Sequence, residues 1–248
     1  MRSLAYHTHI GRYLLESRHP VYQLIALLPL LVLYEIAAIV INFDMPFQVR
    51  NGADIYLKLA LRALGIRSVF GFVLWAVLLV SLLIIVSLRR YGRPLKAHYF
   101  AALLVESVVW SVVIGIASAR ITGIVIGSNP FLAAGPTGSL AERLMVGIGA
   151  GVYEEIVFRA LMISILLSLF RLFRFRESRA SVFAVAVSAI LFSAFHHVGE
   201  FGEIFRMHVF MYRVVAGVIL SAIYTTRGLG VSAWSHAIYD VLIAVDLM

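Results

Sequence analysis

Residues 68–88 read SVFGFVLWAVLLVSLLIIVSL, an uninterrupted apolar run that contains no Asp, Glu, Lys or Arg. The hydrocarbon core of a bilayer is about 30 Å thick, and about 20 helical residues are needed to cross it. Inside lipid every backbone polar group must be bonded within the chain itself, which favours a helix. The run therefore predicts a transmembrane helix.

Further runs of similar hydropathy continue this pattern along the chain. They lie at 21–43, 99–119, 144–170, 182–198, 209–226 and 231–247. The first is too long for a signal-peptide core and lacks a small-residue cleavage site, so we expect an uncleaved span. Residues 45–66 mix charged and apolar residues at helical spacing, which is typical of an amphipathic helix on a membrane surface. The predicted fold class is all-α, a polytopic membrane bundle of about seven transmembrane helices plus this short interfacial helix.

The composition excludes several other classes of protein. Of the 248 residues 62% are hydrophobic, the mean hydropathy is +0.96, and only 14% are charged. Soluble domains usually carry about 25% charged residues, and so much apolar surface also excludes a disordered chain. The chain has no cysteine, which excludes disulfides, iron–sulfur clusters, cysteine-based zinc sites and thiol nucleophiles.

The basic residues indicate an orientation in the membrane. Lys and Arg number 21 against 13 Asp and Glu, and they cluster between apolar runs, at 2–18, 89–96 and 171–179. Seven spans place these regions on one side, which the positive-inside rule makes cytoplasmic. We expect a multi-pass protein of the inner (plasma) membrane with a cytoplasmic N-terminus. Since no nucleic-acid-binding motif accompanies the charge, the expected partner is the lipid bilayer and not nucleic acid.

Three ionisable residues, Glu154, Glu155 and Arg159, fall inside the run at 144–170. Each costs about 2.5–3.5 kcal/mol at the middle of a transmembrane helix, so interactions within the protein must offset that cost. Glu155 and Arg159 are four residues apart and can pair on one helical face. Glu154 is rotated from Glu155 by about 100° and can face a separate cavity. The alternative is a Glu–Arg pair that only orients the bundle.

Histidine and aspartate fall near the ends of two other runs. His196 lies near the end of the fifth run, and His236 and Asp240 share one face of the last. A lone buried histidine is more often structural, and a His–Asp pair at this spacing either orients the imidazole or binds a metal. Together with Glu154 these groups suit water activation, in which a carboxylate takes a proton and a neutral imidazole donates to the oxyanion. Ser193 forms no recognisable Ser–His–Asp arrangement, so attack by water on an amide is the simplest hydrolytic chemistry.

The three polar clusters resemble the motifs of a known family. Residues 154–159 (EEIVFR), 192–196 (FSAFH) and 236–240 (HAIYD) match its EExxxR, FxxxH and HxxxN/D motifs in the same order. The chain is similar in these motifs to the CAAX prenyl endopeptidase and bacteriocin-processing (Abi-type) family of glutamic intramembrane proteases. The resemblance covers about 144–247 and implies an intramembrane endopeptidase.

The resemblance also implies a role for each motif residue. It implies that Glu154 is the general base that activates water, and that His196 holds or polarises that water. Glu155 with Arg159 would form a supporting ion pair. It further implies a glutamate-dependent reaction that uses neither a metal nor another cofactor.

The last motif departs from part of the family. The resemblance implies that His236 and Asp240 are the groups on the oxyanion side, but members related to the eukaryotic enzyme have Asn where this chain has Asp240. An ionised Asp cannot donate to an oxyanion, so Asp240 is either protonated or only orients His236. An alternative keeps hydrolysis but uses zinc, bound by His196, His236 and Glu154 or Asp240.

The chain is predicted to be a single membrane domain over 1–248, with N-terminal helices at 21–127 and a catalytic core at 140–248. The expected partner is a peptide or protein substrate that is membrane-associated or exported, while its identity and the oligomeric state stay open. A second alternative is a non-catalytic membrane protein for immunity, scaffolding or transport, in which the ion pairs serve packing.

Other residues in the apolar runs belong to no motif. Four ionisable residues are expected to be structural groups that face the bundle: Glu35, Glu106, Arg213 and Asp246. Gly147, Gly149 and Gly151 are expected to let helices approach closely beside the site.

Overall fold

The computed structural model describes residues 8–43, 48–63, 65, 69–127, 138–199 and 202–247. Within these ranges the regular structure is entirely helical, without a strand, which confirms the predicted all-α fold. The helices are α1 (His9–Glu16), α2 (Pro20–Ile41), α3 (Gly52–Ala63), α4 (Val69–Tyr91), α5 (Ala97–Ile126), α6 (Leu140–Gly149), a π-helix (Ala150–Ile163), α7 (Ser164–Leu172), α8 (Glu177–Phe195), α9 (Met207–Arg227) and α10 (Leu229–Ala244).

Local sequence signals account for where several helices begin and end. Pro20 takes the first position of α2, where a backbone N–H would have no helical partner. A capping box opens α6, because the Ser139 hydroxyl accepts from the Glu142 N–H and the Glu142 carboxylate accepts from the Ser139 N–H. Gly127 ends α5 in the left-handed conformation at φ 70°, which glycine adopts without strain. These boundaries therefore follow from short-range chain chemistry.

Four of the described helices are long and apolar enough to cross a membrane, namely α2, α5, α8 and α9. Large apolar side chains on α4 and α5 are exposed, among them Leu78, Leu79 and Val105. Exposed apolar surface of this extent is typical of contact with lipid. The protein is therefore a multi-pass membrane protein. The count of seven spans stays a prediction, since α10 is shorter than the other candidates and α4 is not among them.

Helix α10 lies at the centre of the bundle and packs against α2, α5, α6, α9 and the π-helix. Its buried surface is made of small residues such as Ser232 and Ala233, which are fully buried. A Cβ atom added to Gly151 would lie 2.6 Å from the Ala233 carbonyl oxygen, and one added to Gly147 would lie 2.9 Å from Asp240 Cβ. The close helix approach expected at these glycines is therefore present.

Gly151→Ala is expected to lower the melting temperature of the detergent-solubilised protein. The added Cβ would meet the Ala233 oxygen at 2.6 Å and the Ala237 nitrogen at 2.7 Å, so α10 and the π-helix must separate. Overpacking of this kind costs about 1–3 kcal/mol. Gly52→Ala is the matched control, because its Cβ would make an ordinary 3.4 Å contact with the Phe195 ring. Equal melting temperatures for the two variants would contradict the close packing.

Helix α3 lies within the predicted amphipathic stretch 45–66, but two of its charged residues are buried. Asp54 is 0% exposed and Lys58 is 9% exposed. Lys58 Nζ lies 2.6 Å from Asp54 and 3.2 Å from Glu35 of α2, and α3 packs against the π-helix. At these two residues the charged side of the predicted membrane-surface helix is therefore buried against the rest of the protein and does not face solvent. A buried ion pair and a solvated face have the same helical spacing, so the pattern does not distinguish them.

The segment predicted as a single α-helix at 144–170 has a different hydrogen-bond pattern in its centre. Residues 150–163 form a π-helix, in which i→i+5 bonds widen each turn. The expectation of an α-helix, and of a 100° angle between Glu154 and Glu155, is wrong here. The π-helix contacts α2, α3, α8 and α10, and π-helical turns occur frequently at functional sites.

The ionisable residues outside the motifs have different surroundings. Glu106 Oε1 is 2.6 Å from Arg227 Nε and both side chains are largely buried, as expected for a group that faces the bundle. Arg213 Nη2 is 2.7 Å from Glu203 Oε1, and the Glu203 side chain is 54% exposed. Burial alone would raise the pKa of Glu203, but the hydrogen bond and charge of Arg213 lower it below its usual value. Asp246 follows the end of α10 and its side chain is 80% exposed. The expectation that Asp246 faces the bundle is wrong, because α10 ends before it.

Candidate active site

Glu154 lies in the π-helix and is 5% exposed. Its Oε2 atom is 3.9 Å from Nε2 of His196 and 3.9 Å from Nε2 of His236. These side chains come from the π-helix, the end of α8 and the middle of α10. The structure therefore brings together one residue from each of the three sequence motifs.

His196 directly follows the last residue of α8. Its Nδ1 lies 2.9 Å from the Phe192 carbonyl oxygen, and since a carbonyl only accepts, Nδ1 is the donor. The backbone oxygen of His196 accepts from the Glu203 N–H at 2.8 Å. With Nδ1 engaged in this way, Nε2 is the ring nitrogen that faces Glu154.

His236 is oriented by an acid from the first motif. Its Nδ1 is 2.9 Å from Glu155 Oε1, while its Nε2 lies 3.6 Å from Asp240 Oδ2. The sequence left open that Asp240 orients this ring, but the structure places Glu155 at Nδ1 and Asp240 on the opposite side. Both histidines therefore present Nε2 to Glu154.

Glu155 connects three buried groups. Its Oε1 is 3.0 Å from Arg159 Nη1, and both side chains are 0% exposed. The Arg159 guanidinium also lies over the Phe192 ring, 4.4 Å from its centroid, a cation–π contact. The Ser232 hydroxyl donates to the other Glu155 oxygen. The expected ion pair is thus present, and it also holds His236, which the spacing alone did not indicate.

The hydrogen bonds restrict what the imidazoles can do. In a neutral histidine one ring nitrogen donates and the other accepts. Because Nδ1 of His196 donates to a carbonyl and Nδ1 of His236 to a carboxylate, Nε2 of each neutral ring is an acceptor. Either ring donates to an oxyanion through Nε2 only after it gains a second proton. In these orientations the expected donation to an oxyanion therefore requires a protonated ring.

Asn51 contacts the site although no motif includes it. Its Nδ2 donates to Glu154 Oε1 at 2.8 Å. An Asn immediately before a helical pattern signals an N-cap, and that signal could have located the start of α3. It carries no information about a partner 103 positions away along the chain.

The geometry also bears on serine and metal chemistry at this site. The Ser193 hydroxyl donates to the Phe210 carbonyl oxygen at 2.7 Å, so it is engaged away from Glu154. Within the described ranges, no group of three or more His, Asp or Glu side chains is arranged to hold a metal ion. Glu154 and the two histidines lie at the 3.9 Å separations given above and do not form such a group.

A comparison with protein families matches residues 136–242 to the type II CAAX prenyl endopeptidase Rce1-like family. No curated protein and no solved structure matches the chain significantly. The matched segment contains the site residues Glu154, His196 and His236. It also contains Glu155, which orients His236. Residues 136–242 are therefore similar to a family of membrane proteases, and this similarity covers the part of the chain that carries the candidate site.

Proposed function

We propose that the protein is a glutamic-type intramembrane endopeptidase, which hydrolyses a peptide bond with water activated by Glu154. The observation that carries the proposal is the position of Glu154 Oε2, 3.9 Å from Nε2 of both His196 and His236. This separation is too long for a direct hydrogen bond and suits one bridging water. A carboxylate and an imidazole on one water are the groups that general-base hydrolysis requires.

In the proposed reaction Glu154 Oε2 takes one proton from the water, and the water oxygen bonds to the carbonyl carbon of the substrate. His196 Nε2, an acceptor in the neutral ring, takes the second hydrogen bond of the water and orients it. The carbonyl oxygen becomes negatively charged in the tetrahedral intermediate. When the C–N bond breaks, the proton held by Glu154 passes to the leaving nitrogen, so the products are an acid and an amine.

The negative oxygen of the intermediate is assigned to His236. With a proton on both nitrogens, this ring donates through Nε2 while Nδ1 stays bonded to Glu155, 2.9 Å away. Glu155 keeps its orientation because it is paired with Arg159. Asp240, 3.6 Å from Nε2, is the nearby counter-charge for the protonated ring.

The proposed substrate is a membrane-associated or exported peptide or protein. The family description names CAAX prenyl endopeptidases, so a prenylated CAAX tail is one chemistry to test, and an unprenylated extended peptide is the other. The basic clusters support an inner-membrane protein whose N-terminus is cytoplasmic. No cofactor is assigned to the reaction.

A labelling experiment tests the proposal. The protein in proteoliposomes is expected to cleave at least one member of a pool of prenylated and unprenylated peptides. In water labelled with oxygen-18, mass spectrometry should find one labelled oxygen in each new carboxyl terminus, because hydrolysis adds one water oxygen to the carbonyl carbon. Glu154→Gln in the same vesicles should form products about 10³-fold more slowly. An absence of wild-type cleavage, or equal cleavage by both proteins, would contradict the proposal.

A zinc-dependent mechanism is the second candidate, because two imidazoles and a carboxylate are also zinc donors. In the metal-free reaction we expect active purified protein to contain far less than one zinc per chain and to tolerate a chelator. Elemental analysis and chelation measure both properties. Stoichiometric zinc, with activity lost to the chelator and restored by zinc, would replace this mechanism with that of a metalloprotease.

A further inference from the structure

Asn51 precedes α3 and lies outside the matched residues 136–242. It is 3% exposed. Its Nδ2 donates to Glu154 Oε1 at 2.8 Å, and its Oδ1 accepts from the Ala53 N–H at 2.9 Å. The second bond identifies the oxygen of the amide, so the nitrogen is the atom that faces Glu154. The Asn51 N–H also donates to the Tyr34 hydroxyl at 3.2 Å, which leaves the residue with one orientation.

A buried ion cluster holds the segment that carries Asn51. The cluster consists of Glu35, Arg50, Asp54 and Lys58. Arg50 Nη1 lies 3.0 Å from Asp54 and 3.4 Å from Glu35. Lys58 Nζ lies 2.6 Å from Asp54 and 3.2 Å from Glu35. Each acid is therefore shared by two cations, one on either side of Asn51 in the sequence.

Two tyrosines connect the ion cluster to the rest of the site. The Tyr34 hydroxyl donates to Asp54 at 2.8 Å. The Tyr153 hydroxyl donates to Glu35 at 2.5 Å. Tyr153 precedes Glu154 in the π-helix. The cluster is thus bonded both to the helix that carries Glu154 and to the segment that carries Asn51. It therefore fixes the position of Asn51 relative to Glu154.

We propose that Asn51 is a positioning residue for hydrolysis, which holds Oε1 of Glu154 so that Oε2 takes the proton from water. This inference rests on the proposed function of Glu154. Rotation of the Glu154 carboxylate would move Oε2 away from its place between the two imidazoles. A hydrogen bond from an amide that is itself fixed removes this freedom, and the ion cluster keeps the amide in place.

Two variants separate the contact with Glu154 from the helix cap. Asn51→Ser keeps a cap oxygen for the Ala53 N–H but is too short to reach Glu154. Asn51→Asp keeps the cap and the size but offers no amide donor. Because displacement of a reacting group by about 1 Å can cost about 100-fold in rate, we expect kcat to fall about 10- to 100-fold in both. KM should stay within about twofold, since Asn51 contacts the base and not the peptide.

Asn42→Ser is the matched control for the connection between α2 and α3. Asn42 Nδ2 donates to the Val49 carbonyl at 3.0 Å and its Oδ1 accepts from the Val49 N–H at 2.6 Å, so it holds the same connection. Its described hydrogen bonds do not include Glu154. We expect wild-type kcat for Asn42→Ser, and a similar fall in melting temperature for Asn51→Ser and Asn42→Ser, since each loses buried or partly buried hydrogen bonds of the same connection. The probe is the peptide of the pool that the wild-type protein cleaves fastest in proteoliposomes.

The outcomes separate this inference from the proposed function. Wild-type kcat in Asn51→Ser, with Glu154→Gln inactive, would overturn the positioning role and leave the proposed function standing. Equal losses in Asn51→Ser and Asn42→Ser would also overturn it, because the connection and not the contact with Glu154 would then matter. Hydrolysis by Glu154→Gln at the wild-type rate would overturn the proposed function itself.

Discussion

Glu154→Gln is expected to lower kcat for peptide hydrolysis by about 10³-fold, the contribution of a general base. Glutamine has nearly the same shape, and its carbonyl oxygen can still accept the Asn51 hydrogen bond that Glu154 Oε1 accepts at 2.8 Å. It does not take a proton from water, so the variant removes the proposed chemistry and keeps the packing. Product formation in proteoliposomes measures the rate, and the melting temperature shows whether the fold is retained.

Two further variants serve as controls for this prediction. Glu154→Asp keeps a carboxylate but withdraws it from the imidazoles, so we expect activity between that of Glu154→Gln and the wild type. His196→Ala removes the ring whose Nε2 lies 3.9 Å from Glu154 and should also be inactive while folded. Wild-type function in both Glu154→Gln and His196→Ala would favour a non-catalytic scaffold, immunity or transport protein.

Arg159→Met is expected to have the largest effect on stability, a loss of about 3–5 kcal/mol, because it leaves a buried carboxylate without its cation. Arg159 and Glu155 are both 0% exposed, with 3.0 Å between Nη1 and Oε1. Methionine occupies similar space against the Phe192 ring, so the loss arises mainly from charge. Thermal unfolding of the detergent-solubilised protein measures the effect.

The double variant Glu155→Gln/Arg159→Met is the matched control for the ion pair. Replacing both members of a buried pair by neutral groups is often close to neutral for stability. We therefore expect the double variant to regain most of the stability that Arg159→Met loses, as a double-mutant cycle would show. Equal instability of the single and double variants would mean that the charge pair is not the cause.

The approximate positions of these helices could be predicted from hydropathy, because in lipid each segment must satisfy its own backbone hydrogen bonds by forming a helix. The run at 209–226 corresponds to α9 at Met207–Arg227, and the run at 182–198 corresponds to α8 at Glu177–Phe195. Each segment must bond its own backbone groups whichever neighbours it has. The π-helix was not readable, since the same apolar pattern suits i→i+4 and i→i+5 bonding.

The residues of the candidate site could be predicted from the sequence for a related reason. Ionisable residues in apolar runs are costly, so Glu154, His196 and His236 required partners, and the structure brings them together. The sequence could not predict which acid lies at which ring nitrogen of His236. Glu155 and not Asp240 lies at Nδ1 of His236, and this depends on how the π-helix is rotated against α10.

The pattern of apolar runs and isolated charges is enough to predict the all-α membrane fold and the set of polar side chains that the bundle has to bury. Both follow from the cost of polar groups in lipid, which acts on each segment separately. That Asn51 reaches Glu154, 103 positions away, and that α3 buries charged residues, is seen only in the packed bundle. Such contacts depend on the packing and rotation of whole helices, which side-chain shapes across the bundle determine, as at Gly151 against α10.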